Sequence, residues 1–310
     1  MEPLRGVYHI LSTPFTPDGA LDDASLGRLV DAVVDLGVDG ITPLGVAGEA
    51  QKLTDAERRR VVEVVIQTVA GRVPVVVGTS RDGTDATVAA SREAEALGAA
   101  GVMVAPPTFV GAGPALTAHY RRVAEAVSVP LVLQDYPPVN GVSLSPRAMA
   151  ELVAAVPAIT TIKLEDPPTG LRIAQTLALL EGSPATIIGG MGGTYFLEEL
   201  RRGSSGTMTG FAYPEVLVAI WRSWRDGDRA AAASLYHRYL PLLLFEGQPK
   251  LGVAVRKEIL RRRGLIAHAA VRQPATTLDE GTADLLAETL RELGIDASAG
   301  MGTPAALPPR

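Results

Sequence analysis

Val73-Pro74-Val75-Val76-Val77, closed by Gly78, decides the fold class, because it is apolar on both faces and mostly β-branched. A strand wet on one side alternates apolar with polar residues; one covered on both sides need not. This stretch therefore reads as a buried parallel strand. Outward from it, runs of the same kind recur at a regular beat: 6–13, 40–44, 73–78, 101–105, 129–134, 159–163, 185–189 and 205–210. Amphipathic segments at helical period lie between them, among them 25–36, 55–70, 85–97, 115–127 and 172–180. Thr54-Asp55-Ala56-Glu57 has the form of a capping box. Leu36-Gly37 and Leu97-Gly98 read as helix ends followed by the glycine that reverses the chain. Eight strand-helix repeats in about 225 residues match a (β/α)8 TIM barrel. An open doubly wound sheet competes, but it needs a dinucleotide-binding glycine fingerprint after the first strand. Here that strand runs into Thr13-Pro14-Phe15-Thr16-Pro17-Asp18-Gly19, which is turn chemistry.

Beyond position 225 no strand signal returns. Segments 229–244, 251–263 and 279–293 read as a three-helix appendage. The expected division is a barrel with the catalytic site over 1–225, the helical appendage over 226–295, and a mobile tail over 296–310. Exposed apolar residues on added helices gain from subunit contact, so a homo-oligomer is expected.

Composition narrows the function. The 310 residues include no cysteine, which removes disulfides, thiolate nucleophiles and cysteine-ligated metals. His9, His119, His237 and His268 are scattered without the spacing of a zinc site. A formal charge of −5 argues against nucleic acid or an anionic membrane surface as partner. No apolar run is long enough to span a bilayer, and Met1-Glu2-Pro3-Leu4-Arg5-Gly6 lacks the apolar core of a secretory signal. A cytoplasmic enzyme is the expectation.

In a barrel the reacting groups sit at the C-terminal ends of strands. The sixth run ends Ile162-Lys163-Leu164-Glu165-Asp166 in a chain with only four lysines against 25 arginines. Where charge alone was needed, arginine was used. An amine at the end of an apolar strand is partly desolvated, which favours the neutral form able to attack a carbonyl. The competing reading is a lysine that snorkels to the rim or pairs with Glu165. Strand alternation points Glu165 to the same face as Lys163, as a general acid/base or as a simple ion-pair partner. The second run ends Gly45-Val46-Ala47-Gly48-Glu49, whose Val46, Ala47 and Gly48 N–H groups could seat a carboxylate. Glu49 reads better as a residue tying this loop down. Gln134, Asp135 and Tyr136, at the end of the fifth run, face the mouth if the register holds, or else hydrogen-bond locally before Pro137. Gly189-Gly190-Met191-Gly192-Gly193 could bind phosphate or simply make room for a bulky substrate. Gly190, and Met208 in the eighth run, complete the candidate lining.

Taken together, these residues resemble the dihydrodipicolinate synthase / N-acetylneuraminate lyase family, and the resemblance spans nearly the whole chain. It rests on Thr13-Pro14-Phe15 with Asp18-Gly19, Gly45-Val46-Ala47-Gly48-Glu49 against the family's G-[ST]-[ST]-G-E, and Lys163 ending strand six. Gly141 with Leu144-Ser145-Pro146, Gly206 and the helical tail also match. The resemblance implies a barrel, usually homotetrameric, whose strand-six lysine forms an imine with a 2-keto acid and needs no metal or organic cofactor. A tetramer or dimer is the implied assembly. The departures bear on the reaction. Val46 and Ala47 lack the hydroxyls of the family's loop. The catalytic tyrosine's position falls on Gln134, with Tyr136 two residues later. The substrate-gripping arginine aligns with Val139, and the tyrosine lent by a neighbouring subunit with Thr108. Lys163-Leu164-Glu165 instead looks like the K-x-E arrangement of members that dehydrate 2-keto-3-deoxy sugar acids. The resemblance thus implies a Schiff-base lyase, a dehydratase or aldolase, with Lys163, Glu165 and Tyr136 as catalytic candidates. A pyruvate-condensing synthase using Tyr136 or Asp135 and a non-catalytic 2-keto acid sensor are the alternatives.

Overall fold

The computed structural model describes residues 2–295; Met1 and the tail 296–310, expected to be mobile, lie outside the described residues. The strands are β1 (Gly6–Ile10), β2 (Gly40–Thr42), β3 (Val76–Gly78), β4 (Gly101–Val104), β5 (Leu131–Asp135), β6 (Ile159–Leu164), β7 (Thr186–Ile188) and β8 (Gly206–Thr209). All neighbouring pairs are parallel, in the orders β2-β1-β8 and β3-β4-β5-β6-β7. Parallel bridges Ile41–Val75 and Gly189–Thr207 join the two arcs, so the ring closes as a (β/α)8 barrel. The first strand stops at Ile10 rather than reaching Thr13, and β3 begins at Val76 rather than Val73. Pro74 has no N–H to give to a ladder, which shortens β3.

The helices around the first half of the ring are α1 (Asp23–Asp35), α2 (Asp55–Val69), α3 (Thr84–Ala96) and α4 (Pro114–Ala126). A single turn, α5 (Pro137–Asn140), precedes α6 (Pro146–Ala155). Then come α7 (Thr169–Leu179), α8 (Phe196–Arg201) and α9 (Pro214–Arg225). The chain ends with α10 (Arg229–Glu246), α11 (Gly252–Arg262) and α12 (Glu280–Glu292). The capping box at Thr54 is formed on both sides, and Gly37 and Gly98 follow their helices with φ of +84° and +107°. Among the described residues no helix is long and apolar enough to cross a membrane.

Two apolar layers follow from strand alternation. The outer one, where Ile162 and Leu164 meet the helices, is the main core. The inner one fills the barrel with Leu4, Tyr8, Ile10, Val76, Met103, Val132, Ile188 and Met208. Leu4 plugs the lower end: its N–H donates to Thr161 Oγ1 at 3.0 Å, and Thr186 Oγ1 donates to its carbonyl at 3.0 Å. With that end filled, only the C-terminal rim of the strands is left for a site.

Candidate active site

Lys163 sits in β6 level with Gln134 of β5 and Ile188 of β7, so all three project into the barrel. Glu165 follows on the same side. Lys163 is 1% exposed and Glu165 5%, and Nζ lies 2.7 Å from Oε2. The buried amine expected from the sequence is present, but it is partnered rather than alone. Gln134 Nε2 donates to the same oxygen at 2.9 Å, and Met191 N–H donates to Oε1 at 3.2 Å. One ammonium and two N–H donors, from three successive strand ends, thus hold one carboxylate. The arrangement lets a proton pass between Nζ and Oε2 with little motion of heavy atoms, leaving a neutral nucleophile beside a carboxylic acid.

Two of the glycines after β7 are explained by carboxylates. A Cβ on Gly190 would sit 2.3 Å from Glu165 Oε1, and one on Gly189 would sit 1.8 Å from an oxygen of Glu199 on α8. Gly190, read from sequence as a substrate contact, therefore makes room for Glu165. The phosphate reading of this turn fails for the same reason: carboxylates press on both glycines. Glu199 is fully buried, and desolvation pushes its carboxyl up to about 8. The Thr169 hydroxyl eases that penalty without reaching hydrogen-bond geometry.

The loop after β2 forms a 3₁₀ turn, Val46–Gly48. Gly48 N–H bonds to the Gly45 carbonyl at 3.0 Å, so it is not available to a ligand, contrary to the sequence expectation. The N–H groups of Val46 and Ala47 open the turn and have no acceptor among the described residues, as the first donors of any helical turn do not. Leu44 and Glu49 bracket the loop with φ of +60° and +56°, a strained conformation for residues bearing a Cβ. What holds it is Glu49, which takes Lys257 Nζ at 2.5 Å on one oxygen, and Lys52 Nζ at 2.9 Å and Arg272 N–H at 3.0 Å on the other. Thr13 Oγ1 adds a bond to the Gly48 carbonyl at 2.6 Å. The tying-down role expected of Glu49 is the one observed.

At the end of β5 the alternation separates three neighbours read as facing the mouth. Gln134 faces the lumen. Asp135, buried on the opposite side, lies 3.4 Å from Arg172 of α7, so its assignment to the substrate is corrected. Burial raises its carboxyl to about 6 against the pull of Arg172. Tyr136 returns to the rim, half-buried, where desolvation and the nearby Glu165 carboxylate raise its phenol while Arg256 opposes them. Met208 has no exposure and belongs to the inner apolar layer, with Ala47 resting on that layer from above. It is floor beneath the site rather than a ligand contact. Thr108 bonds to Asp82, and Val139 is exposed.

Sequence reasoning missed Arg256 and Glu246. Arg256, on α11, is 6% exposed and gives Nε to Glu246 Oε1 at 2.5 Å. Glu246 is held by Ala212 N–H at 2.9 Å. No spacing ties a mid-helix arginine to a barrel rim formed by strands far earlier in the chain.

The model of the dihydrodipicolinate synthetase family matches residues 3–293. The chain is 33% identical to L-2-keto-3-deoxyarabonate dehydratase of Azospirillum brasilense, over 91% of this chain and 93% of that one. It is 36% identical to 4-hydroxy-tetrahydrodipicolinate synthase of Sorangium cellulosum, over 94% and 96% respectively. Among solved structures, YagE from Escherichia coli K12, a family protein in complex with pyruvate, superposes with a TM-score of 0.88 at 29% identity, covering 94% of this chain and 99% of that one. Barrel, buried strand-six lysine and full-length similarity agree: the chain belongs to the dihydrodipicolinate synthetase family.

Proposed function

We propose that the protein is a Schiff-base-forming lyase that dehydrates or cleaves a sugar-derived 2-keto-3-deoxy acid. The observation that carries this reading is the Lys163–Glu165 pair on one lumen-facing side of β6, with Glu165 immobilised by Gln134 and Met191. Glu165 takes the ammonium proton, and Lys163 Nζ attacks the C2 ketone. Glu165 returns that proton to the carbinolamine hydroxyl, which leaves as water and gives the iminium, an electron sink for C3. With the ammonium gone, Glu165 is still held by Gln134 and Met191, and it removes the C3 proton to give the enamine. In dehydration the enamine expels the C4 hydroxyl, which leaves as water with the proton from Glu165. In retro-aldol cleavage no C3 proton is removed: Glu165 takes the C4 hydroxyl proton from the iminium as the C3–C4 bond breaks, the aldehyde leaves, and that proton passes to C3 of the enamine. Hydrolysis of the imine then releases the product and Lys163. The N–H groups of Val46 and Ala47 receive the substrate's C1 carboxylate. Tyr136 stands at the rim as a further proton carrier. The dehydratase from Azospirillum supports a 2-keto-3-deoxy sugar acid as substrate.

A second reading, a pyruvate-condensing synthase, is favoured by the Sorangium relative. It would rely on Tyr136, because Asp135 faces away from the lumen. The reading carries with it a cytoplasmic homo-oligomer, tetramer or dimer, for which the exposed Leu171 and Leu179 of α7 offer apolar surface.

The test is a panel of 2-keto-3-deoxy pentonates and hexonates, 4-hydroxy-2-ketoglutarate, and pyruvate with aldehydes, with products identified by mass. Loss of water from a deoxy acid is expected for a dehydratase, and release of pyruvate with an aldehyde for an aldolase. Turnover of none of them, with no covalent adduct, would overturn the reading.

A further inference from the structure

Arg256 belongs to a helix outside the ring of barrel helices, yet its guanidinium reaches the rim. A Cβ placed on Gly210, just past β8, would lie 2.8 Å from Nη1 and also 2.8 Å from the carbonyl of Ile10, the last residue of β1. The Tyr136 phenol is within electrostatic reach of both Arg256 and Glu165. The cation thus lies at the β8–β1 side of the mouth, beside Gly210 and near the end of β1.

Its bonding is half used. Nε is taken by Glu246, which is itself anchored to the backbone of the β8–α9 connection through Ala212. Nη1 and Nη2 have no acceptor among the described residues, and they are not sealed from solvent although the side chain is almost wholly buried. The other buried arginine of this region differs: Arg263 places Nη1 on the Ala212 carbonyl and Nη2 on Glu215 at 2.7 Å. A guanidinium held through Nε alone, with two N–H arms still without an acceptor, suits an oxygen acceptor, and its planar fork suits paired oxygens best.

We infer that Arg256 is the specificity-determining residue for the far end of the substrate, donating from Nη1 and Nη2 to the oxygen atoms remote from the imine. The inference rests on the lyase reading above and adds the group that selects among 2-keto acids. Those oxygens belong to a terminal hydroxyl or to a second carboxylate; both are acceptors, and the substrate panel separates them. 2-Ketobutyrate, which ends in a methyl group, has nothing for Arg256 to hold.

The experiment compares wild-type protein with Arg256→Met, Arg256→Lys and the double variant Arg256→Met/Glu246→Gln. The double variant removes both charges, so a fold weakened by an orphaned Glu246 is not mistaken for lost recognition. For each protein kcat/KM is measured on a 2-keto-3-deoxypentonate and on 4-hydroxy-2-ketoglutarate, and the concentration dependence of borohydride trapping is measured with 2-ketobutyrate. The expected result is a loss of about 10- to 100-fold, mainly in KM, on at least one oxygen-terminated substrate, with trapping of 2-ketobutyrate shifted far less. The oxygen-terminated acid that suffers the greater loss identifies the far-end group. Equal losses on all three compounds, or no loss on any, would overturn the inference. If wild-type protein traps no keto acid at all, the lyase reading itself has failed, which is a different outcome.

Discussion

Two buried Lys–Glu pairs lie among the described residues, and they serve different ends. Lys163 and Glu165 meet at 2.7 Å inside the barrel; Lys257 and Glu49 meet at 2.5 Å between the β2 loop and α11. All four side chains are at most 5% exposed. Desolvation alone does not tell them apart, since burial lowers the Lys257 amine to about 8 even with Glu49 beside it. The difference is in how fully each nitrogen is bonded. Lys257 also donates to the Ala270 carbonyl at 2.8 Å and lies 4.2 Å from the centre of the Phe15 ring. Its partner Glu49 takes three donors in all. Lys163 has Glu165 as its one polar partner among the described residues, at the end of a strand that opens onto the rim. A saturated lysine is a fastener, and an undersaturated one is available for chemistry.

Exchanging the two lysines for residues without charge gives the sharpest contrast. Lys163→Ala should lower turnover by about 10⁴-fold or more, as loss of a nucleophile does; steady-state assay of the folded protein checks it. Glu165→Gln should slow turnover by about 10²–10⁴ while imine formation persists, the range of a positioned acid/base. An unchanged rate would remove Glu165 from the chemistry. Lys257→Met should instead act on the fold, costing about 3–5 kcal/mol because Glu49 would be left buried without its main cation. Urea denaturation measures that cost, and the folded fraction should still form the imine.

A pH-dependent effect, with no consequence for the chemistry, concerns the carboxyl behind the site. Glu199, raised from 4.5 to about 8, binds a proton in the folded state that the unfolded chain has released. Its contribution is therefore complete below about pH 4.5 and is lost as pH rises through 8, at no more than about 1.4 kcal/mol per pH unit. Glu199→Gln should flatten the fall in melting temperature between pH 5 and 8. An unaltered slope would show that Glu199 does not titrate there.

The barrel was legible in the sequence because strands buried on both faces, such as Val75-Val76-Val77, cannot be mistaken for half-wet ones, and because Gly37 and Gly98 mark helix ends. The ends of strands were less legible. Gln134 and Asp135 are adjacent, so they cannot both face the lumen; alternation gives the inside to Gln134 and leaves Asp135 to Arg172. Gly48 looked like an open donor, yet the turn that exposes Val46 and Ala47 closes by consuming its N–H. Gly190 looked like a ligand seat because a glycine carries no record of which side chain needs its space. Arg256 was invisible because tertiary packing alone brings α11 to the rim.

The central question is which lysine bonds to the carbonyl carbon. Pyruvate trapped with borohydride, followed by tryptic peptide mass spectrometry, reads this directly. The expected result is a single reduced adduct on Lys163, none on Lys257, and none in Lys163→Ala. An adduct on Lys257, or its complete absence from folded wild-type protein, would contradict it.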